Sequence, residues 1–242
     1  MHIFYSTHIS GTSALLGEEE SLHLSKVLRL KTGDRVQLID GVGGYFSGEV
    51  AQVHPKHTSI VGLEPLLVKG KRPYRLHVAM APTKMMERFE WFLEKAVEIG
   101  IDEITPIITK RTERDQVKMA RMEKIVLAAM KQSITPFMPK INEAISFNAF
   151  IKSDLSSTKF IAHCEDRNKP YLTQVSENQD NLLVTIGPEG DFTSDEIDYC
   201  LSNGFQEISL GESRLRAETA AVVACAQVQS AWQMKKNSSV FL

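Results

Sequence analysis

Glycines and a carboxylate that could hold a ligand follow a predicted strand near the end of the chain. The strand Leu182–Ile186 runs into the turn Gly187–Gly190, whose sequence is Gly-Pro-Glu-Gly. Glycines let a backbone turn sharply and approach a ligand closely, which leaves peptide N–H and C=O groups free to bind it. An ordinary loop between a strand and a helix is the alternative interpretation. A phosphate-binding loop is excluded, because no Gly-Lys-Ser/Thr sequence follows the turn.

A second junction between a strand and a helix carries charge of both signs. Leu210 and Gly211 follow a predicted strand, and Arg214, Arg216 and Glu218 lead into a long helix rich in small residues. Two arginines at this spacing could stabilise an anion, and the glutamate could orient one of them. An Arg–Glu helix cap explains the same residues equally well. The small residues of the helix suit either a tight core or a dimer interface.

Basic side chains also follow predicted strands in the middle of the chain. Lys84 comes after the strand Leu76–Ala81, and Arg111 comes just after Ile104–Ile108. In open α/β sheets, ligands bind outside the carboxyl ends of the strands, so both residues are candidates for the site. Arg88 and Lys95 lie on the helix after Lys84, whose charges would ordinarily form a solvated face.

The elements that must position these residues follow an α/β pattern after residue 73. Such alternation of strands and helices predicts a mostly parallel sheet with helices on both faces. The predicted strands are 76–81, 104–108, 160–163, 182–186 and 207–210, and the predicted helices are 86–99, 119–133, 194–203 and 218–234.

The first seventy residues have a different pattern. Alternating apolar and polar residues on both sides of a glycine-rich turn predict a hairpin of Arg35–Asp40 with Tyr45–Val53, and a further strand covers 58–63. A short helix with an apolar stripe at Leu22, Val27 and Leu28 precedes the hairpin. The basic segment 68–73 then separates the two patterns. The sequence therefore predicts two domains, a small β-barrel-like module at 1–70 and an α/β domain at 73–242.

Composition and charge limit the classes of protein. With 43% hydrophobic and 24% charged residues among 242, the chain can form a sizeable core, which excludes wholesale disorder and a fibrous protein. The net charge of -2 alone argues against a polyanionic partner. Residues 1–140, however, carry 20 basic and 16 acidic side chains, and residues 141–242 carry 8 and 14. A nucleic-acid surface on the front part of the chain therefore stays possible.

Cysteine usage and the N-terminus indicate the compartment. The three cysteines, Cys164, Cys200 and Cys225, are widely separated and have no His cluster beside them, which argues against a disulfide framework and a metal site. We find no signal peptide and no apolar run long enough for a membrane span. We therefore expect a cytoplasmic protein without a membrane or metal requirement.

Several motifs, in order along essentially the whole chain, resemble the RsmE family of SPOUT-class methyltransferases. The C-terminal motifs are Gly187-Pro188-Glu189-Gly190 with Phe192, Leu210-Gly211, and Leu215-Arg216-x-Glu218-Thr219-Ala220. The earlier motifs are His23-x-x-x-Val27-Leu28-Arg29, Lys84 with Glu94-Lys95, and Gln132-Ser133 with Pro139. This resemblance implies an N-terminal PUA-like RNA-binding β-barrel and a C-terminal SPOUT α/β domain with a trefoil knot. It also implies a homodimer that methylates N3 of a uridine in the 16S ribosomal RNA of the small subunit, using S-adenosylmethionine.

The resemblance also implies roles for individual residues. Residues at family cofactor positions are Ile186, Gly187, Pro188, Glu189, Gly190, Leu210, Gly211, Leu215, Arg216 and Ala220. The candidate RNA contacts are His23, Arg29, Lys84, Arg88, Lys95, Arg111 and Gln132. Arg216, with Glu218 or Glu189, becomes the candidate catalytic group, since a cation near the uracil oxygens could stabilise the anion formed as N3 loses its proton.

The chain departs from the family pattern at three places. Many members have an arginine where this chain reads His2-Ile3-Phe4 or Ile134-Thr135, and a third glycine is usual where Asp191 stands. Two alternatives stay open at this point. The first is a related SPOUT enzyme that acts on another RNA or on a ribose 2′-hydroxyl, and the second is a non-catalytic RNA-binding or ribosome-assembly factor that keeps the fold.

Overall fold

The chain forms two compact units. The computed structural model describes residues 2–67, 70–153, 157–176 and 179–238, with side chains up to residue 235. The first unit comprises Met1–Lys71 with Leu127–Met138, and the second comprises Arg72–Val126 with Pro139–Leu242. The predicted boundary segment 68–73 includes Val68 and Lys69, which lie outside the described residues, so the boundary stays a prediction.

Residues 127–138 belong to the first unit although they are distant from it in sequence. The ammonium of Lys131 donates a hydrogen bond to the carboxylate of Glu20 at 2.5 Å, and the backbone N–H of Met138 donates to the carbonyl of Gly41 at 2.8 Å. The sequence pattern did not indicate this association.

The first unit is built on a mixed, six-stranded sheet in the order β1-β4-β5-β6-β3-β2. Its strands are β1 Ile3–Tyr5, β2 His8–Ser10, β3 Ser13–Leu15, β4 Arg35–Ile39, β5 Tyr45–Gln52 and β6 Ser59–Pro65. The predicted hairpin is confirmed, because β4 and β5 pair antiparallel with Ile39 opposite Tyr45. The strands β1 to β3 were not predicted, since three residues are too few for a recognisable alternation.

The predicted short helix is partly confirmed. Helix α1, Glu18–Leu22, continues into a π-helical turn, His23–Val27. The predicted apolar stripe is wrong at two positions, because Leu22 is 47% exposed and Val27 is 66% exposed, while Leu24 is buried. A π-turn has more residues per turn than an α-helix, so a spacing of 3.6 residues does not follow its buried face.

The second unit contains a parallel sheet, which confirms that prediction. Its strands are β7 Arg75–Met80, β8 Glu103–Ile108, β9 Lys140–Ile141, β10 Ile145–Ser146, β11 Thr158–Ala162, β12 Asn181–Ile186 and β13 Gln206–Ile208. The order is β10-β8-β7-β12-β11-β13, and β9 pairs with the start of β8. Because every pair is parallel, the carboxyl ends of the strands lie on one edge.

Helices alternate with these strands along the chain. They are α2 Met86–Ile99, α3 Met119–Ser133, α4 Phe147–Lys152, α5 Leu172–Ser176, α6 Ser194–Ser202 and α7 Ala217–Ser238. The predicted bounds of α2 and α3 are confirmed at both ends, whereas α4 and α5 were not predicted. Helix α7 contacts α2, α5, β7 and β12. Ala221 and Ala224 are fully buried, so its small residues allow close packing inside this unit. None of the helices in the described part of the chain has the length and apolar character needed to cross a membrane.

A buried polar cluster joins β7, β8 and β9 at their amino ends. The Glu103 carboxylate accepts hydrogen bonds from Asn142 at 2.7 Å and Lys140 at 3.1 Å, and also from Arg75. Beside it, His77 Nε2 lies 2.7 Å from the hydroxyl of Thr105. Burial lowers the pKa of His77 to about 4, against the opposing effect of the Glu103 charge.

Candidate functional site

Two adjoining cavities lie at the carboxyl edge of the parallel sheet, between the loops that follow β11, β12 and β13. The smaller cavity, of about 270 Å³, is lined by seven residues predicted for cofactor binding, namely Ile186, Gly187, Pro188, Glu189, Leu215, Arg216 and Ala220. The larger cavity, of about 740 Å³, is lined by Gly190, Leu210 and Gly211, with Leu215 and Ala220 again. The structure therefore brings the whole predicted cofactor set together.

The loop after β11 was missed as a wall of the site. Cys164 lines both cavities, and His163 and Glu165 line the larger one. The predicted strand 160–163 was the available signal, because its carboxyl end had to meet those of the other parallel strands. Cys164 is exposed as a residue. Partial burial of its thiol is the main cause, and the charge of Asp191 the second cause, that raises the pKa of this thiol above the ordinary value.

The backbone conformation of the loop Gly187–Phe192 follows from its residues. A Cβ on Gly187 would lie 3.1 Å from the backbone nitrogen of Phe192, so the close approach of these two residues favours glycine. The Asp191 N–H donates to the carbonyl of Pro188 at 2.9 Å and closes a turn. Asp191 has a φ of 63°, in the left-handed region that glycine adopts most readily.

The side chain of Asp191 offsets this unfavourable backbone conformation. Its two carboxylate oxygens accept hydrogen bonds from the backbone N–H of Phe192 at 2.8 Å and of Cys164 at 2.7 Å. Asp191 therefore connects the loop after β12 with the loop after β11.

Arg111 and Lys84 bring the loops after β8 and β7 to the same edge. The Arg111 guanidinium donates to the carbonyl of Gly190 at 2.7 Å and to that of Phe192 at 3.2 Å. The backbone N–H of Lys84 donates to the Glu189 carboxylate at 3.0 Å. The exposed ammonium of Lys84 pairs with Glu113 at 2.8 Å, and this hydrogen bond raises the pKa of the lysine.

Arg216 and Glu218 occupy the start of α7 and differ in exposure. Arg216 is exposed, and its carbonyl accepts the hydrogen bond from the Ala220 N–H at 2.8 Å that opens the helix. The Glu218 side chain is only 8% exposed, and its Oε1 lies 3.8 Å from Arg88 Nε. Its Oε2 is buried and has no hydrogen-bond partner among the described residues.

The predicted RNA contacts are divided between the two units. His23, Arg29 and Gln132 belong to the first unit, where none of the three is buried. Lys84, Arg88, Lys95 and Arg111 belong to the second, where Lys95 already holds Glu94 at 2.7 Å and Glu98 at 2.9 Å. Within the described ranges, no group of three or more His, Cys, Asp and Glu residues is placed to hold a metal ion.

Comparison with known proteins defines the class as an RNA methyltransferase with a PUA domain. The family model described as "RNA methyltransferase domain" matches residues 70–229, and the one described as "RNA methyltransferase PUA domain" matches residues 16–62. A relative from Rickettsia conorii, named Ribosomal RNA small subunit methyltransferase E, is 31% identical over 94% of this chain and 94% of its own length. This chain belongs to the ribosomal RNA small subunit methyltransferase E family, which confirms the resemblance seen in the sequence.

Solved structures agree over nearly the full length. A probable rRNA-methyltransferase from Porphyromonas gingivalis has a TM-score of 0.84 and 35% identity, covering 97% of this chain and 99% of that chain. Ribosomal RNA small subunit methyltransferase E from Neisseria gonorrhoeae, bound to S-adenosyl methionine, has a TM-score of 0.86 and 25% identity, covering 96% and 98%.

Proposed function

We propose that this protein transfers a methyl group from S-adenosylmethionine to N3 of a uridine in the 16S ribosomal RNA of the small ribosomal subunit. The observation that carries the proposal is the convergence of the ten predicted cofactor residues on two adjoining cavities at one sheet edge. The family supports methyl transfer to small-subunit ribosomal RNA, and the S-adenosyl methionine bound to the Neisseria gonorrhoeae protein supports the choice of cofactor.

The residues at the edge suit this cofactor. When bound, S-adenosylmethionine supplies an electrophilic methyl group on a positively charged sulfur. Ile186, Leu215 and Ala220 give the smaller cavity apolar walls that can enclose an adenine ring. The carboxylates of Glu189 and Asp191 line the same cavity and favour a cation. Because Gly187 lacks a side chain, the loop keeps the shape that leaves this space open.

The chain must then help the N3 proton of uracil to leave. We assign Arg216, Glu218 and Glu189 to the catalytic group. The exposed Arg216 guanidinium at the cavity wall can stabilise the charge that develops on the uracil oxygens. Glu189 already accepts a hydrogen bond from Lys84, whereas Glu218 keeps an oxygen that accepts none from the described residues. Positioning of donor and acceptor accounts for the rest of the rate enhancement.

RNA binding is assigned to both parts of the chain. Residues 1–70 form the PUA-like RNA-binding domain and residues 73–242 the methyltransferase domain, with RNA contacts from His23, Arg29, Lys84, Arg88, Lys95, Arg111 and Gln132. The excess of basic over acidic residues in 1–140 supports this assignment, because phosphate contacts dominate the affinity of such interfaces.

A trefoil knot, a homodimer and a cytoplasmic location complete the proposal. The strand order supports the knot. β13 lies beside β11, and the next element, α7, packs on β7 and β12, so the chain crosses from one side of β11 and β12 to the other between β13 and α7. The homodimer and the location rest on the family resemblance, and light scattering of the purified protein tests the dimer.

The decisive experiment supplies the protein with small ribosomal subunits from a strain that lacks this methylation and with labelled S-adenosylmethionine. Digestion and mass spectrometry of the nucleosides should then yield labelled N3-methyluridine. A label on ribose would favour an enzyme that modifies the 2′-hydroxyl. If calorimetry detected no binding of S-adenosylmethionine, the non-catalytic alternative would replace both.

A further inference from the structure

A third cavity, of about 600 Å³, opens between α2 and the start of α7. Its walls are Glu87, Arg88 and Trp91 on one side and residues 214–216 with Glu218 and Thr219 on the other. Arg214, Leu215 and Arg216 also line the smaller cofactor cavity. A molecule in this third cavity, which we call the α2–α7 cleft, would therefore lie beside the proposed cofactor position.

Trp91 gives the cleft an aromatic surface. Its neighbours on α2, Phe89 and Phe92, are fully buried, whereas Trp91 is 43% exposed. Proteins bind unpaired nucleobases by stacking them on aromatic side chains, and each such contact is worth about 1–3 kcal/mol. The exposed indole is therefore suited to stack on an unpaired base that is flipped out of the RNA.

Glu218 lines the cleft and has one carboxylate oxygen without a donor among the described residues. More than nine-tenths of its side chain is buried, and it is Oε2 that has no hydrogen-bond partner within that part of the chain. A buried acceptor that is left unsatisfied is destabilising. Oε2 has almost no accessible surface, so the Glu218 side chain must turn toward the cleft before a ligand N–H can reach this oxygen and gain binding energy from it.

The charges around Glu218 select one kind of base. Arg88 and Arg216 line the same cleft and are donors only, so the cleft offers an acceptor with donors nearby. The imide edge of uracil has the complementary pattern, with the N3–H donor between two carbonyl oxygens. Cytosine has an acceptor at N3, which a carboxylate repels.

We propose that the α2–α7 cleft binds the target uracil, with Trp91 stacked on the base and Glu218 accepting a hydrogen bond from N3–H. This inference rests on the proposed function and names its nucleobase site. During transfer, the N3 proton passes to the Glu218 carboxylate and the N3–methyl bond forms. The sulfur–methyl bond breaks with its electron pair kept on sulfur, which becomes a neutral thioether.

Kinetics on small ribosomal subunits test the stacking surface. Trp91→Ala should raise KM for the subunit about tenfold, Trp91→Phe should retain most of the affinity, and both should bind S-adenosylmethionine like the wild type. Unchanged cofactor affinity shows that the variants fold. A wild-type KM in Trp91→Ala, with the wild type active, would overturn the inference and leave the proposed function intact.

Binding tests the choice of base without requiring activity. The chain has two tryptophans, so Trp232→Phe leaves Trp91 as the remaining tryptophan fluorophore. Short RNAs that carry one uridine, one cytidine or one N3-methyluridine at the same position are the probes. Uridine should quench Trp91 at the lowest RNA concentration, and Glu218→Gln should reduce the preference over cytidine. Equal titrations with the three RNAs, or no quenching by uridine, would overturn the proposal.

Discussion

The guanidinium of Arg111 donates a hydrogen bond of 2.7 Å to the carbonyl of Gly190, and so joins the loop after β8 to the glycine turn after β12. A second hydrogen bond, of 3.2 Å, reaches the carbonyl of Phe192. The sequence suggested Arg111 as an RNA contact. Its position gives it another task, because it supports the wall of the proposed cofactor cavity.

Removing this support should weaken cofactor binding. Arg111→Ala loses two charge-assisted hydrogen bonds, and a loss of about 1–2 kcal/mol corresponds to about five- to thirtyfold in the calorimetric Kd for S-adenosylmethionine. Lys110→Ala is the matched control, since its ammonium pairs with Asp195 on the surface and such pairs contribute little. Equal Kd values for the two variants would contradict the supporting role of Arg111.

Substitution of Arg216 should impair methyl transfer much more than cofactor binding. Arg216→Ala is expected to retain S-adenosylmethionine binding and to lose methyl transfer by about two to three orders of magnitude, as removal of an oxyanion-stabilising donor does. Arg216→Lys keeps the charge and should recover part of the rate. Single-turnover transfer to small ribosomal subunits is the measurement, and an undiminished rate in Arg216→Ala would remove it from the catalytic group.

The two glycines of the turn after β12 should respond differently to a methyl group. Gly187→Ala places a Cβ 3.1 Å from the backbone of Phe192 and should lower both Tm and cofactor affinity. Gly190→Ala meets the flexible Arg111 side chain at 3.4 Å and should be tolerated. Thermal unfolding with and without S-adenosylmethionine compares them, and similar losses in both variants would contradict the requirement for close approach at Gly187.

Cys164 offers a chemical test of where the cofactor binds. Cys200 and Cys225 are buried, and burial raises the pKa of each thiol to about 12, whereas Cys164 is exposed in the walls of both cavities. Iodoacetamide should therefore label Cys164, at a rate that rises with pH because the thiolate reacts. Saturating S-adenosylmethionine should slow this labelling, as read by peptide mass spectrometry. A labelling rate that does not change when S-adenosylmethionine is added would argue against this cofactor site.

His77 should make stability depend on pH. Burial lowers its folded-state pKa from 6.5 to about 4, so between these values the unfolded chain takes up a proton that the folded chain excludes. The free energy of unfolding should fall by about 3 kcal/mol across this window as the pH drops. Urea unfolding of the wild type and His77→Asn measures the effect, and equal pH slopes would contradict it.

Prediction from sequence succeeded where a pattern was long. Helices α2 and α3 match their predicted bounds, because periodic apolar residues run over several turns and Gly100 ends the first. The strands β9 and β10 have two residues each and were not predicted. They are strands because they pair with β8, and two residues are too few to show an alternating pattern. Tertiary contacts decide such short elements.

The candidate site was likewise predicted only in part. Its glycine and arginine motifs were visible in the sequence, because they sit directly after strands of a parallel sheet. The support that Arg111 gives to the Gly190 carbonyl was not visible, since nothing local relates residues 79 positions apart. The unsatisfied oxygen of Glu218 is likewise a property of the packing around α7, which no pattern of residue types reveals.

The aspartate at position 191 has a mechanical consequence for the two cofactor cavities. A glycine there would let each loop fluctuate alone, whereas the Asp191 carboxylate bonds to Cys164 and Phe192 and couples the motions of two loops. A ligand that enters or leaves these cavities therefore passes between two loops that one carboxylate holds together.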